Sequence, residues 1–104
     1  MPAVICYVHV GDGREVQMRV RFSQRVAIPI EDMPKPPAGL LLICSGFSAA
    51  LRLVGVTNGF AVYYISSVDY DYLIDLISRL CAVEPCRLPC VLTAPQPPAS
   101  PTPT

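Results

Sequence analysis

The chain has 104 residues, enough for one domain and too few for two, because a much smaller core is only marginally stable. Apolar residues make up 52% and charged ones 15%, against about 45–50% and about 25% in ordinary soluble domains. With so few charges to cover a monomer, some apolar surface is expected to be hidden by a partner, a membrane or another copy of the chain. Eight basic groups balance eight acidic ones, and a neutral chain lacks the broad positive field that generic nucleic-acid binding uses.

Residues 3–10 are rich in β-branched and aromatic side chains and apolar on both faces apart from His9, which predicts an interior strand. Gly11-Asp12-Gly13 supplies a turn. Val16, Met18, Val20 and Phe22 then alternate with Glu15, Gln17, Arg19 and Arg21, the period-two pattern of a half-buried strand, so the two segments predict an N-terminal β-hairpin. Residues 25–30 read as a short strand that Pro29 confines to an edge. Pro34, Pro36 and Pro37 stiffen a surface loop over residues 31–38, and residues 39–44 form a buried strand ended by Ser45-Gly46. Residues 51–56 and 60–65 flank Thr57-Asn58-Gly59, the signal of a second hairpin.

Ser66-Ser67 followed by Asp69 and Asp71 marks a helix start. Tyr70, Leu73, Ile74, Ile77 and Cys81 recur along one face, and Pro85 sets the helix end at residues 82–84. Residues 88–93 add a last strand, which Pro89 places at an edge. The expected fold is α+β: a small antiparallel sheet of four to six strands, made of two β-hairpins plus edge strands and covered on one face by a single C-terminal helix. Residues 1–93 form this one domain. Residues 94–104, composed of Ala, Pro, Gln, Ser and Thr, form a disordered tail.

The chain has five cysteines and a single histidine. An odd count without a leader-like N-terminus predicts reduced thiols in a cytoplasmic or nuclear protein that is not secreted. Cys81, Cys86 and Cys90, with His9 as a distant fourth ligand, are the nearest approach to a zinc set, but structural zinc sites pair close ligands and need four. Thiols packed near a helix end are the simpler reading, with no metal and no cofactor. His9 is expected as a strand residue with its polar edge satisfied, and Asp69, Asp71 and Asp75 as dipole partners of the helix start. No catalytic residue is assigned, and no phosphate-cradling glycine loop or Gly-x-Ser-x-Gly motif is present.

The surface signals concern partners. Tyr72 and Leu76 widen the apolar stripe of the helix and are candidates for contact with another chain. Arg19 and Arg21 project from one strand face as a second partner-binding candidate, though without the interleaved aromatics of a nucleic-acid surface. Ser100-Pro101 and Thr102-Pro103 make Ser100 and Thr102 candidate phosphosites. The apolar segment 39–56 falls short of the roughly 20 residues of a membrane-spanning helix, leaving membrane contact as an alternative.

Residues 59–93, strand then helix then strand, resemble the end of a small adenoviral early protein family that assembles into oligomers and captures host nuclear factors. The likeness covers about a third of the chain and implies self-assembly. Residues 37–50 and Val68-Asp69-Tyr70-Asp71-Tyr72 resemble segments of dUTPases, but the serine-containing phosphate motif is missing. Neither likeness is taken as family membership. The expectation is a non-enzymatic interaction or adaptor module, of the viral or host regulatory accessory type. It would act as a homodimer or higher oligomer with an unidentified protein partner. A small membrane-associated protein and an enzyme are the alternatives.

Overall fold

The computed structural model describes residues 3–9, 14–81 and 86–95. The chain forms β1 (Ala3–His9), β2 (Glu15–Arg21), β3 (Arg25–Pro29), β4 (Gly39–Cys44), β5 (Phe47–Thr57), β6 (Phe60–Ile65), α1 (Ser67–Leu80) and β7 (Cys86–Thr93). All seven strands join one sheet in the order β2-β1-β7-β4-β5-β6-β3. Every pairing is antiparallel except β1 with β7.

The order forces curvature. Strands β2 and β3 are consecutive in the chain, joined by residues 22–24, yet stand at opposite edges. In a flat sheet those edges would lie roughly 29 Å apart at about 4.8 Å per strand, beyond the roughly 14 Å that such a connection reaches. The sheet therefore curls until β2 and β3 touch, nearly closing a barrel. The expected four to six strands are seven, and the two sides of the sheet become an inside and an outside.

Alternation along each strand sorts residues between these surfaces. Val4, Cys6 and Val8, Val26 and Ile28, Leu40, Leu42 and Cys44, Ala61, Tyr63 and Ile65, and Cys86, Leu88, Cys90 and Leu92 are all buried inside. Leu73, Leu76 and Ile77 of α1 join the same core. The helix begins at Ser66, whose Oγ accepts from the Asp69 amide at 3.2 Å, and ends at Cys81, whose amide donates to the Ile77 carbonyl at 2.9 Å. Gln24 Nε2 donates to Ser67 Oγ at 2.8 Å and ties the β2–β3 connection to the helix start. Pro85, expected to stop the helix, lies outside the described residues.

Two strand expectations are corrected. β7 is interior, flanked by β1 and β4, despite Pro89. The β1–β7 register passes from Val4↔Cys86 to Cys6↔Cys90, and β4 pairs with β7 only from Cys90 onward. Pro89 thus falls in a bulge where neither neighbour needs its missing amide. Ser45-Gly46, expected as a stop, is instead a hairpin turn: Ser45 and Gly46 have φ of 32° and 84°, as Asn58 and Gly59 have 53° and 80°. Two positive φ values in a two-residue loop match the twist of antiparallel strands, so β5 starts at Phe47 and runs for 11 residues.

Candidate interaction surface

Two rows of side chains cross the outside of the sheet in register. In the first, Tyr7 stands beside Val91 and Val91 beside Ile43, an apolar row flanked by Gln17 and Ser48. Tyr7 is 39% and Ile43 44% exposed. In the second, Arg25 pairs with Tyr64 and Tyr64 with Arg52, so one ring lies between two guanidinium-bearing strands. The Arg52 guanidinium sits 5.8 Å from the Tyr64 ring centroid, within cation–π range. Leu41, opposite Ala50, lies between the two rows.

The wall is electrostatically one-sided. Arg19, Arg21, Arg25, Arg52 and Arg87 are all exposed on the strands. The one strand carboxylate among the described residues is Glu15, whose Oε2 lies 2.7 Å from His9 Nε2. The remaining described acids lie elsewhere: Glu31 and Asp32 in the β3–β4 connection, and Asp69, Asp71 and Asp75 on α1. Arg79 Nε donates to Asp75 Oδ2 at 3.0 Å across one helical turn. The exposed side of α1 also bears Val68, 80% exposed, and Tyr72, 57% exposed.

The sequence-derived candidates are redistributed. Leu76 is buried and belongs to the core, so it is corrected from a contact residue to a packing residue. Its neighbour Tyr72 stays outside, stacked on Phe47 with centroids 5.2 Å apart. Arg19 and Arg21 point outward as expected. Cys81 pairs with Cys86 and Cys90 with Cys44 as disulfides, while His9 lies outside against Glu15. The fold thus divides the four metal candidates, Cys81 with Cys86, Cys90 with Cys44 and His9 outside, and pairs thiols that were expected reduced. Ser100 and Thr102 lie outside the described residues.

Tyr64 and Arg52 were not singled out from sequence, and Arg25 was read only as a neighbour of Arg19 and Arg21, since only the pairing of three strands places the three in one row. Outside the two rows, Val54, Val56 and Phe60 leave an apolar exposed end on the β5–β6 hairpin. The unpaired thiol Cys6 is buried, and burial raises it from 9.0 to about 12. Burial likewise pushes Tyr63 up to about 12, and its hydroxyl donates to the Pro37 carbonyl at 2.7 Å.

No family model, curated protein or solved structure matches the chain. No helix is long and apolar enough to cross a membrane among the described residues, and segment 39–56 is folded into β4 and β5.

Proposed function

We propose that the chain is a non-enzymatic protein-interaction or adaptor module that works as an oligomer. The observation that carries this reading is the apolar row Tyr7–Val91–Ile43 on the outside of three adjacent strands, its ends exposed and Val91 half-buried between them. Aromatic and aliphatic side chains held rigidly on a sheet lose little entropy on contact and release water, and such groups concentrate binding energy at interfaces. The low charge content of the chain supports the same reading. Sedimentation velocity on the purified protein tests it: the wild type is expected to run as a dimer or larger species at micromolar concentration. Tyr7→Lys with Ile43→Lys should weaken association about tenfold or more, the effect of losing a central contact. A wild-type chain that stays monomeric at high concentration removes the basis for the proposal.

A second reading, membrane association, is favoured by the exposed Val54, Val56 and Phe60 of the β5–β6 hairpin. Apolar aromatic and aliphatic side chains of this kind seat in the boundary between lipid headgroups and acyl chains. Flotation with phosphatidylcholine vesicles tests it, and recovery of the protein with the vesicles, lost in Val56→Asp, is the supporting outcome.

A further inference from the structure

The zero net charge of the chain conceals a separation that only the fold makes visible. The outer wall of the sheet is arginine-bearing, and its one described carboxylate, Glu15, is engaged by His9. The exposed side of α1 carries Asp71 and Asp75 beside Val68 and Tyr72, with Asp75 bonded to the exposed Arg79 one turn on. Each surface is therefore the complement of the other in sign and in kind: Arg25–Tyr64–Arg52 on the wall, Asp71–Tyr72–Asp75 on the helix.

We infer that the occupant of the wall is a second copy of this chain, its α1 lying across the outer face of β3, β6, β5 and β4. This rests on the oligomeric reading above and places the helix beside the Tyr7–Val91–Ile43 row, which it meets at Ile43 on β4. Three observations select the occupant. First, like cannot meet like. Wall against wall sets arginines on arginines, so a symmetric contact through the wall alone is disfavoured, and helix against helix leaves those arginines without an acidic partner. Helix on wall is a head-to-tail contact that sets Asp71 and Asp75 against wall arginines, with Arg79 of the helix held back by its bond to Asp75, and such contacts propagate as rings or open chains.

Second, the spacings agree. Arg25 and Arg52 stand two strands apart, roughly 10 Å. Asp71 and Asp75 are one helical turn apart, about 6 Å along the axis. Arginine side chains are long enough to take up the difference, with Tyr64 and Tyr72 between the charges. Third, the apolar part is supplied on both sides. Val68 and Tyr72 project from the helix, and on β4 the half-buried Leu41 lies next to the arginine row with the exposed Ile43 beyond it. Charge then steers the encounter, while the apolar contacts slow its dissociation.

The test is sedimentation velocity on the full chain at about 50 mM and about 500 mM salt, with melting curves to establish that each variant is folded. Wild-type association is expected to weaken at least tenfold at the higher salt. Arg25→Glu with Arg52→Glu in one variant, and Asp71→Lys with Asp75→Lys in another, should each run as monomers. Their equimolar mixture should reassemble, because a reversed wall meets a reversed helix and the two native surfaces meet each other. The neutral variants Arg25→Gln with Arg52→Gln and Asp71→Asn with Asp75→Asn serve if a reversal unfolds the chain, and each should abolish most of the salt dependence. Reassembly of the mixture, or loss of the salt dependence, supports the inference. A wild type that associates while every variant associates equally tightly overturns it and leaves the oligomeric reading in place. A wild type that is monomeric at both salt concentrations overturns both.

Discussion

The Tyr63 hydroxyl reaches out of the core to donate to the Pro37 carbonyl at 2.7 Å, joining β6 to the proline-rich connection that packs Met33 against the barrel. The connection is held further by its own short turns, Asp32 to the Pro29 carbonyl and Met33 to that of Ile30. At its ends the Ile30 amide donates to the Gly59 carbonyl at 3.0 Å and the Leu53 amide donates to the Ala38 carbonyl at 2.9 Å. Tyr63→Phe keeps the ring and removes the bond. The expected loss is about 1 kcal/mol, the net value of one partly buried hydrogen bond, or about 4–8 °C in melting temperature for a domain of this size. Thermal unfolding followed by circular dichroism measures it, and an unchanged midpoint would show that the proline loop holds itself in place.

Burial of Cys6 sets an alkaline limit on stability. An exposed thiol in the unfolded chain releases its proton near 9.0, whereas the native one holds it to about 12. Between these values the native state binds the extra proton, so stability is full below pH 9 and falls as pH rises through the window. Urea denaturation at pH 8 and pH 10.5 should show this fall in the wild type and a smaller one in Cys6→Val, the residual slope coming from Tyr63 above pH 10. Equal slopes in the two proteins would place the alkaline sensitivity elsewhere.

The two disulfides close loops of unequal size, with sequence separations of 46 for Cys44–Cys90 and 5 for Cys81–Cys86. Chain entropy gives about 4 kcal/mol for the longer loop and about 2 kcal/mol for the shorter. In the oxidised protein, Cys44→Ala with Cys90→Ala should therefore lower the denaturation midpoint further than Cys81→Ala with Cys86→Ala. The opposite order would mean that unfolded-state entropy does not govern their contribution.

Local elements were legible in the sequence, and their arrangement was not. The period-two pattern at Val16–Met18–Val20, the Asn58-Gly59 turn and the serine cap at Ser66 each arise from a few neighbouring residues, and each lies where it was expected. The β1–β7 pairing joins the first and last strands in parallel, which no local signal encodes, and it turns β7 from an edge into an interior strand of the sheet. Curvature follows from that order and the short residues 22–24. Tyr72 and Leu76 looked equivalent because both border the stripe, and only packing decides which one turns inward. The Arg25–Tyr64–Arg52 row was hidden for the same reason, its members lying 39 and 12 residues apart in the chain.

The contrast between Tyr72 and Leu76 gives a last test, because the two residues are four apart on one helix yet face different surroundings. Leu76 is 6% exposed among core side chains, and its truncation leaves a cavity that rigid strands do not fill. Leu76→Ala should cost about 2–5 kcal/mol. Tyr72 is 57% exposed and keeps one defined contact, the stack on Phe47 with an interplanar angle of 11°. Tyr72→Ala should cost about 1 kcal/mol, the value of an aromatic pair beyond its buried area. Urea denaturation separates the two, and sedimentation adds a second readout on which the order reverses. Tyr72→Ala should weaken association strongly, whereas the folded fraction of Leu76→Ala should associate as the wild type does. If Leu76→Ala proves the milder change in stability and the stronger one in association, then the helix is turned the other way: Leu76 faces the partner and Tyr72 the core.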